Sequence, residues 1–336
     1  MKKKKMLNQL ALNTLSKNDQ VDHFLVIRKI ELRSTRAGKD FLSTELGDKT
    51  ASLNSSIWEG FTEIAAKGKI GDVVKVTGTI EEYQGTLQIR VASVKLATKT
   101  DNVSPRDFLP ESMRNLEEMK KEFNQIIKSI SNIHLSKLVK QIFSEERFEQ
   151  FCSAPAGKSW HHAYVHGLLE HTLEILKICD LVCEFHPELN RDLLIAGAML
   201  HDIGKTEELS YDTAFEYTDK GKLIGHIVIA SNLVRDEIKN IPGFPVELGN
   251  NLIHLILSHQ GKLEHASPVV PKTAEAIALY QADELSAKVN AYKNTLDSEI
   301  RGDSTWTRYI PLADTDLHKH NITPEQKENT NKSLFE

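Results

Sequence analysis

The chain has few cysteines, and those it has do not form a disulfide pattern. Three occur among 336 residues, at Cys152, Cys179 and Cys183. An odd number without paired spacing excludes a small disulfide-stapled scaffold and fits a reducing cytoplasm, where we expect the protein. Cys179 and Cys183 are four residues apart in an apolar helical stretch. Because no second cysteine pair exists, we interpret them as buried core and not as metal ligands.

The chain also lacks a long hydrophobic run. The longest, residues 193–200, is far shorter than the roughly 20 residues that cross a bilayer, so a membrane-spanning protein is excluded. The basic run at residues 2–5 is followed by polar residues such as Asn8 where a signal peptide would be apolar. We therefore interpret that run as a solvated start of the chain and expect no membrane partner.

Charge is unevenly distributed along the chain. Residues 1–100 hold 17 Lys and Arg against 11 Asp and Glu, whereas the remainder holds 25 against 36. A mildly basic N-terminal region followed by an acidic remainder is compatible with an anionic polymer that contacts the N-terminal region.

The N-terminal region has the pattern of a β-barrel. Short β-rich segments alternate with turn residues, and a short helix separates the third segment from the fourth. Five strands with one helix after the third is the order of an OB-fold, which binds single-stranded nucleic acid. The predicted strands lie near residues 22–33, 39–46, 50–57, 72–82 and 86–96.

This stretch resembles the OB domains of polymerase subunits and tRNA synthetases, chiefly in the Gly-Asp-Val-Val-Lys-Val-Thr-Gly segment at residues 71–78. The resemblance implies a nucleic-acid-binding face. Each aromatic candidate could instead belong to the core, an interpretation we favour for Trp58, and the charged loop 36–40 could be a solvated turn. The candidates are Phe41, Trp58 and Tyr83 for base stacking, and Arg33, Arg36, Lys39 and Arg90 for phosphates.

A polar segment with two prolines follows the barrel and separates it from a helical region. Helices are predicted near residues 111–130 and 134–151, and then from Trp160 to Phe185. The predicted organisation is an all-α domain behind the barrel. Its divisions are an N-terminal extension (1–20), an OB-fold domain (21–98), a linker with connecting helices (99–155), a helical domain (156–310) and a flexible tail (311–336).

The adjacent pair His201-Asp202 closes an apolar helix. Asn190 is a suitable N-cap, and Gly204 is predicted to stop the helix in a left-handed conformation. Side chains of neighbouring helical residues diverge by about 100°, so the pair can converge on one ion only near a helix end. Burying these groups costs several kcal/mol unless a metal or an ion pair compensates them. The pair therefore predicts a metal site.

Ten of the fourteen histidines lie between His161 and His265. His161, His162, His166 and His171 fall on the helix predicted from residue 160, which would place His162 and His166 on one face. His171 precedes the His-Asp pair by 30 residues, an interval that suits a helical hairpin.

The ordered pattern of His171, His201-Asp202 and Asp283 resembles the HD-domain metal-dependent phosphohydrolases. His226 and His259 fit the members of that family that hold two metals. The whole chain is similar to the YhaM-type 3′-to-5′ exoribonucleases over residues 20–310. It departs from them at Gln260, where the family often has histidine, and at His166 and His265, which lie outside the pattern.

The resemblance implies a site with two divalent cations, with manganese favoured and cobalt, iron, zinc or magnesium as alternatives. His171, His201, Asp202 and Asp283 would hold the first, and Asp202 would bridge to a second held by His226 and His259. Such a pair activates water for in-line attack on phosphorus. Lys205 is a candidate for stabilising charge on the phosphate, or simply a helix-end lysine. His161 and His162 are candidates for contacting the scissile phosphate or protonating the leaving 3′ oxygen.

Three functions remain open from the sequence. The first is an exoribonuclease whose barrel binds single-stranded RNA and whose helical domain releases nucleoside 5′-monophosphates. Single-stranded DNA is a possible second substrate of this enzyme. The second is a phosphodiesterase or phosphatase of a small nucleotide. The third is a non-catalytic protein that binds single-stranded nucleic acid.

Overall fold

The first part of the chain closes into a barrel in a computed structural model that describes residues 9–83, 85–300, 304–320 and 322. The strand order around the barrel is β1-β2-β3-β5-β4, with β3 parallel to β5 and the other neighbours antiparallel. This topology confirms the expected OB-fold. The elements are β1 (Gln20–Ser34), β2 (Asp40–Gly47), β3 (Ser52–Ile57), α1 (Thr62–Lys67), β4 (Val73–Tyr83) and β5 (Thr86–Leu96).

Alternating side chains fill the barrel. On β4, Val74, Val76 and Ile80 point inward and are fully buried, because the two-residue period of a strand places them on one face. Leu12 and Leu15 from the segment before β1 join this core. The predicted N-terminal extension is therefore partly integrated into the barrel.

Helices dominate the chain after residue 115. The first is α2 (Leu116–Ser129), followed by α3 (Ile133–Ile142) and α4 (Glu145–Ser153). The prediction of one helix over 134–151 was wrong, because Phe143 leaves helical geometry and Ser144 starts a new helix. The remaining elements are α5 (Gly167–Phe185), α6 (Arg191–Leu200), α7 (Lys205–Glu208), β6 (Leu209–Ser210), β7 (Glu216–Tyr217), α8 (Asp219–Ile224), α9 (His226–Lys239), α10 (Val246–Ser258) and α11 (Ala274–Glu299).

The helix predicted from Trp160 begins only at Gly167. His162 and His166 both have positive φ, 43° and 70°, so the two do not share a helix face. The loop before α5 folds back onto the helix start, where a Cβ on Gly167 would come within 2.0 Å of the His162 carbonyl oxygen. Glycine at this position therefore permits the close approach that a helix pattern alone does not reveal.

The helical domain has one continuous core. α5 and α6 pack as the expected hairpin, and α10, α11, α3 and α9 surround them. All three cysteines are buried there as free thiols, as expected for Cys179 and Cys183. Within the described residues, no helix combines the length and apolar character of a membrane span.

Residues 304–320 fold back on themselves after α11. Thr307 donates its backbone N–H to the Leu317 carbonyl at 2.9 Å, and both side chains are buried. Residues 311–320, predicted as part of a flexible tail, therefore include backbone that is hydrogen-bonded to residues 305–310. Residues 2–5, Gln84 and the tail sequence 327–332 lie outside the described residues.

Candidate metal centre

The His-Asp pair sits at the inner end of α6, as expected. Asn190 caps this helix by accepting a hydrogen bond from the Leu193 N–H at 3.1 Å, and residues 193–200 are all buried. Gly204 is not left-handed, with φ of −63°, so that prediction was wrong. Its lack of a side chain serves packing, because a Cβ would lie 2.1 Å from the His226 carbonyl oxygen. The close contact brings the start of α9 against the pair.

Asp202 lies at the middle of the predicted metal ligands. Its Oδ2 atom is 3.3 Å from Nε2 of His201 and 3.9 Å from Nε2 of His171. Its Oδ1 atom is 3.4 Å from Nε2 of His226 and 3.6 Å from Nε2 of His259. One carboxylate therefore faces two pairs of imidazoles, one pair on each oxygen.

Asp283 of α11 completes one side of this arrangement. Its Oδ1 atom is 3.0 Å from Nε2 of His171, and with His201 these residues form a group whose ligand atoms lie within 4.8 Å of one another. Asp202, His226 and His259 form a second such group. The structure thus brings together all six residues that the sequence singled out, and a third such group joins His171 to His161 and His162.

Hydrogen bonds orient the four imidazoles in the same way. Each ring uses Nδ1 on an acceptor, which leaves the Nε2 lone pair directed at the centre. The acceptors are Ser286 Oγ for His171 at 2.9 Å, the Ala198 carbonyl for His201 at 2.7 Å, Glu208 Oε1 for His226 at 2.9 Å and the Ile256 carbonyl for His259 at 2.7 Å.

Buried atoms at the centre lack hydrogen-bond partners. These atoms are Nε2 of His201, Nε2 of His226 and Oδ1 of Asp202. Leaving a buried polar atom unsatisfied costs on the order of 1–3 kcal/mol, so three in one place require a partner. A donor set of imidazole and carboxylate without thiolate suits manganese, iron, cobalt or zinc. The residues therefore fit a divalent metal site.

The ionisation states suit the same interpretation. Burial opposes ionisation of Asp202, but Lys205 and His201 outweigh it and hold the pKa of this carboxyl well below its usual range. Burial lowers the pKa of His171 to about 4 despite the nearby Asp283, and it also lowers that of His259. At neutral pH these two rings are neutral and the carboxylates are charged, as metal ligands must be. His201 differs, because the Asp202 carboxylate outweighs burial and raises the pKa of this ring, so a bound metal would have to displace its proton.

Lys205 is nearly buried beside the centre. Its Nζ atom lies 2.6 Å from Oδ2 of Asp202. Burial lowers the pKa of this ammonium, but the carboxylates of Asp202, Asp283 and Glu208 together raise it by more, so the lysine is charged. Lys205 is therefore buried and contacts the carboxylate that lies between the two ligand groups.

His161 and His162 lie in the loop before α5, at the edge of the centre. The His161 ring is 4.9 Å from the ring of His171, and burial places the pKa of His161 well below its usual value. His162 is fully buried, with Nε2 3.3 Å from Oε2 of Glu174. Both histidines are thus next to the ligand set, although not on the predicted helix.

Two family models match this chain. An HD domain matches residues 168–288, and an OB-fold nucleic acid binding domain matches residues 26–97. Proteins named 3′-5′ exoribonuclease YhaM are similar over nearly the whole length. The relative from Geobacillus sp. (strain WCH70) is 33% identical over 85% of this chain and 88% of its own. The relative from Oceanobacillus iheyensis is 33% identical over 89% and 93%, respectively.

The chain belongs to the YhaM family. Its HD domain carries the ligand groups described above, and its OB-fold carries the nucleic-acid-binding candidates. The departure at Gln260 has a local consequence. Gln260 Nε2 lies 3.3 Å from Nε2 of His259, so its amide contacts a proposed ligand.

The barrel candidates of this YhaM-family chain form a surface platform on β1, β2 and β3. The rings of Phe41 and Trp58 stack at 4.6 Å, and Lys39 Nζ lies 5.6 Å from the Trp58 ring centre. Arg33 pairs with Phe41 across the strands. Trp58 is 43% exposed, which corrects its interpretation as core. We call Arg33, Lys39, Phe41 and Trp58 the aromatic platform.

The other barrel candidates lie around this platform. Arg90 lines a surface groove of about 710 Å³ together with Trp58, and it pairs with Glu81 at 3.1 Å. Tyr83 is 62% exposed at the end of β4, and Arg36 is exposed in the β1–β2 loop. Most groups that the sequence named are thus exposed on the barrel, and Arg33 and Arg90 have acidic neighbours.

Three residues at the centre were missed by sequence reasoning. They are Ser286, Glu174 and Glu208. Ser286 accepts a hydrogen bond from Nδ1 of His171 and donates its hydroxyl to Glu174 at 2.7 Å. Glu208 accepts from the backbone N–H and from the ring Nδ1–H of His226. Ser286 could have been noticed three residues after Asp283, on the same helix face. Glu208 carried no signal, because its contact depends on how α7 meets α9. His254, which lies outside this ligand set, accepts a hydrogen bond from the Lys272 N–H at 2.9 Å.

Proposed function

We propose that this chain is a metal-dependent 3′-to-5′ exoribonuclease that hydrolyses single-stranded RNA to nucleoside 5′-monophosphates. The observation that carries the proposal is the convergence of six imidazole and carboxylate groups around Asp202, next to an OB-fold. Membership of the YhaM family supports the reaction and its direction. Single-stranded DNA is a second substrate class to test, since stacking and phosphate contacts do not require a 2′-hydroxyl.

The proposed site holds two divalent cations, with manganese favoured. His171, His201 and Asp283 would hold one, His226 and His259 the other, and Asp202 would face both. When bound, such ions supply Lewis-acid polarisation of the phosphodiester and a lowered pKa for water. The chain keeps the four Nε2 atoms directed inward through the Nδ1 hydrogen bonds, so the imidazoles need little rearrangement.

The remaining roles belong to Lys205, His161 and His162. Lys205, charged and held against Asp202, would place its ammonium near a nonbridging phosphate oxygen. His162, whose Nε2 lies 3.3 Å from Oε2 of Glu174, would serve as the group that protonates the leaving 3′ oxygen. His161, neutral because it is buried, would donate a hydrogen bond to the scissile phosphate.

The barrel would bind the strand on its aromatic platform while the helical domain cleaves it. The lining of the cleft between them supports this division, since Arg28 and Ile70 of the barrel meet Lys158, Thr213 and Glu216 of the helical domain there. A strand on the barrel would thus have a neighbouring catalytic domain. We propose functional units at residues 21–98 and 156–310, joined by 99–155.

A single assay tests the proposal. Purified protein with manganese is incubated with 5′-labelled single-stranded RNA, and a ladder of shortening products is expected. An intact strand with hydrolysed small nucleotides would instead indicate a small-nucleotide phosphodiesterase. A shifted but uncut band would indicate a binding protein. Metal analysis of the same preparation gives the identity and number of ions.

A further inference from the structure

Another cavity reaches the loop before α5 at Trp160, the residue next to His161, and lies outside the residues that either family model matches. Its volume is about 570 Å³, and its walls come from residues 159–160, from the C-terminal half of α11 and from residues 308–312. The OB match ends at residue 97 and the HD match covers 168–288. This volume is within the range of small-ligand sites in proteins.

Two connections join the cavity to the centre. Trp160 on the cavity wall is the neighbour of His161, whose ring touches that of the proposed ligand His171. Asn294, also on the wall, donates to Oδ1 of Asn290 at 2.9 Å, and the same oxygen accepts the His162 N–H at 2.8 Å. The cavity wall is therefore joined by hydrogen bonds to the loop before α5 that carries His161 and His162, which we call the histidine loop.

The wall chemistry suits a nucleoside. Trp160 and Tyr309 offer aromatic faces, which stack on bases regardless of their identity. Asn294 and Ser298 offer an amide and a hydroxyl for the edge of a base or for ribose hydroxyls. Arg308 adds a positive charge, which favours a ligand that carries phosphate.

The position of the cavity indicates which nucleoside it would hold. Lys158, two residues before Trp160, lines the separate cleft with the barrel residues Arg28 and Ile70. The histidine loop therefore has the barrel-side cleft at its start and the cavity next to it. A strand held by the barrel would approach the metal centre from the cleft, which would leave the cavity for its free 3′ end.

We infer that this cavity binds the 3′-terminal nucleoside of the strand, the one that leaves as nucleoside 5′-monophosphate. The inference rests on the proposed exoribonuclease function. It places substrate contacts on the segment after α11, which neither domain match includes.

Ser298→Trp, which fills the cavity, tests the inference. The dissociation constants of adenosine 5′-monophosphate and of inorganic phosphate are measured by calorimetry on the manganese-loaded protein. We expect the variant to bind the nucleotide about tenfold more weakly and phosphate as well as the parent does, because only the nucleotide reaches the cavity. Gln125→Trp, on the exposed face of α2, is the matched control and should change neither constant.

Trp160→Ala provides a second variant should Ser298→Trp fold poorly by circular dichroism. It should also weaken nucleotide binding about tenfold while phosphate binding stays within twofold of the parent. Unchanged nucleotide affinity in a folded variant overturns the cavity inference and leaves the exoribonuclease proposal intact. Conversely, a parent that leaves RNA uncut refutes the proposed function, whereas the nucleotide measurement still reports on the cavity.

Discussion

The barrel and the helical domain place their functional polar groups in opposite environments. The barrel candidates are exposed, and Arg33 and Arg90 pair with acidic neighbours at the surface. In the helical domain, Asp202, His201 and His171 are almost completely buried, and hydrogen bonds hold the imidazoles in one orientation. Surface groups contribute additively and weakly, whereas buried groups act as a unit. Substitutions should therefore have graded effects in the barrel and near-complete effects in the helical domain.

The largest effect should come from Asp202→Asn. The amide loses one ligand oxygen and the charge that faces four imidazoles, so we expect RNA cleavage to fall by about 1,000-fold or more. Binding of RNA by the barrel should remain within a few-fold of the parent, as measured by filter binding. Asp236→Asn, on an exposed part of α9, is the control and should cleave normally. Parental cleavage by Asp202→Asn would refute the site.

Glu208→Gln should have the next largest effect, and on metal affinity first. The carboxylate accepts hydrogen bonds from the backbone N–H and from the ring Nδ1–H of His226. Removal of a group that supports a metal ligand in this way typically lowers metal affinity by about 10–100-fold. Calorimetric titration with manganese checks this, and excess manganese should restore most of the activity. The neighbouring Glu207, exposed and paired with Lys220, provides the control Glu207→Gln. Equal manganese affinity in both variants would exclude a positioning role.

A smaller effect is expected from Phe41→Ala on the aromatic platform. Base stacking on an aromatic ring is worth about 1–3 kcal/mol, so RNA affinity should fall about tenfold while the cleavage rate at saturating RNA stays unchanged. Fluorescence anisotropy with labelled RNA measures the first quantity. Phe185→Ala, at the exposed end of α5, removes the same side chain elsewhere. An equal loss of RNA affinity in Phe185→Ala would show that the aromatic platform does not bind RNA specifically.

The smallest effect should come from Arg36→Gln in the β1–β2 loop. If this exposed arginine contacts a phosphate, its loss should reduce the slope of log affinity against log salt by about 0.7 and weaken binding uniformly across RNA sequences. Arg235→Gln on α9 should leave that slope at the parental value. An unaltered slope for Arg36→Gln would show that this loop is a solvated turn.

The strands and the metal-ligand set could be predicted for different reasons. Strand positions followed from the two-residue period and from turn residues, which act locally. The pair His201-Asp202 followed from the end of a buried helix, whereas His171 and Asp283 followed from the resemblance to the HD-domain phosphohydrolases. The same reasoning failed where a contact between distant residues sets the backbone conformation. Gly204 packs against His226, and His162 and His166 lie in a loop and not in a helix.

Local patterns in the sequence determined that this chain has a barrel, a helical domain and a His-Asp pair at the end of a buried helix. Those features depend on hydrophobic period, helix caps and residue type, all of which act over a few residues. The tertiary structure alone decided that Glu208 supports His226, that Ser286 orients His171 and that Trp58 is exposed. Each of these depends on which distant elements meet, and therefore on the packing of the whole domain.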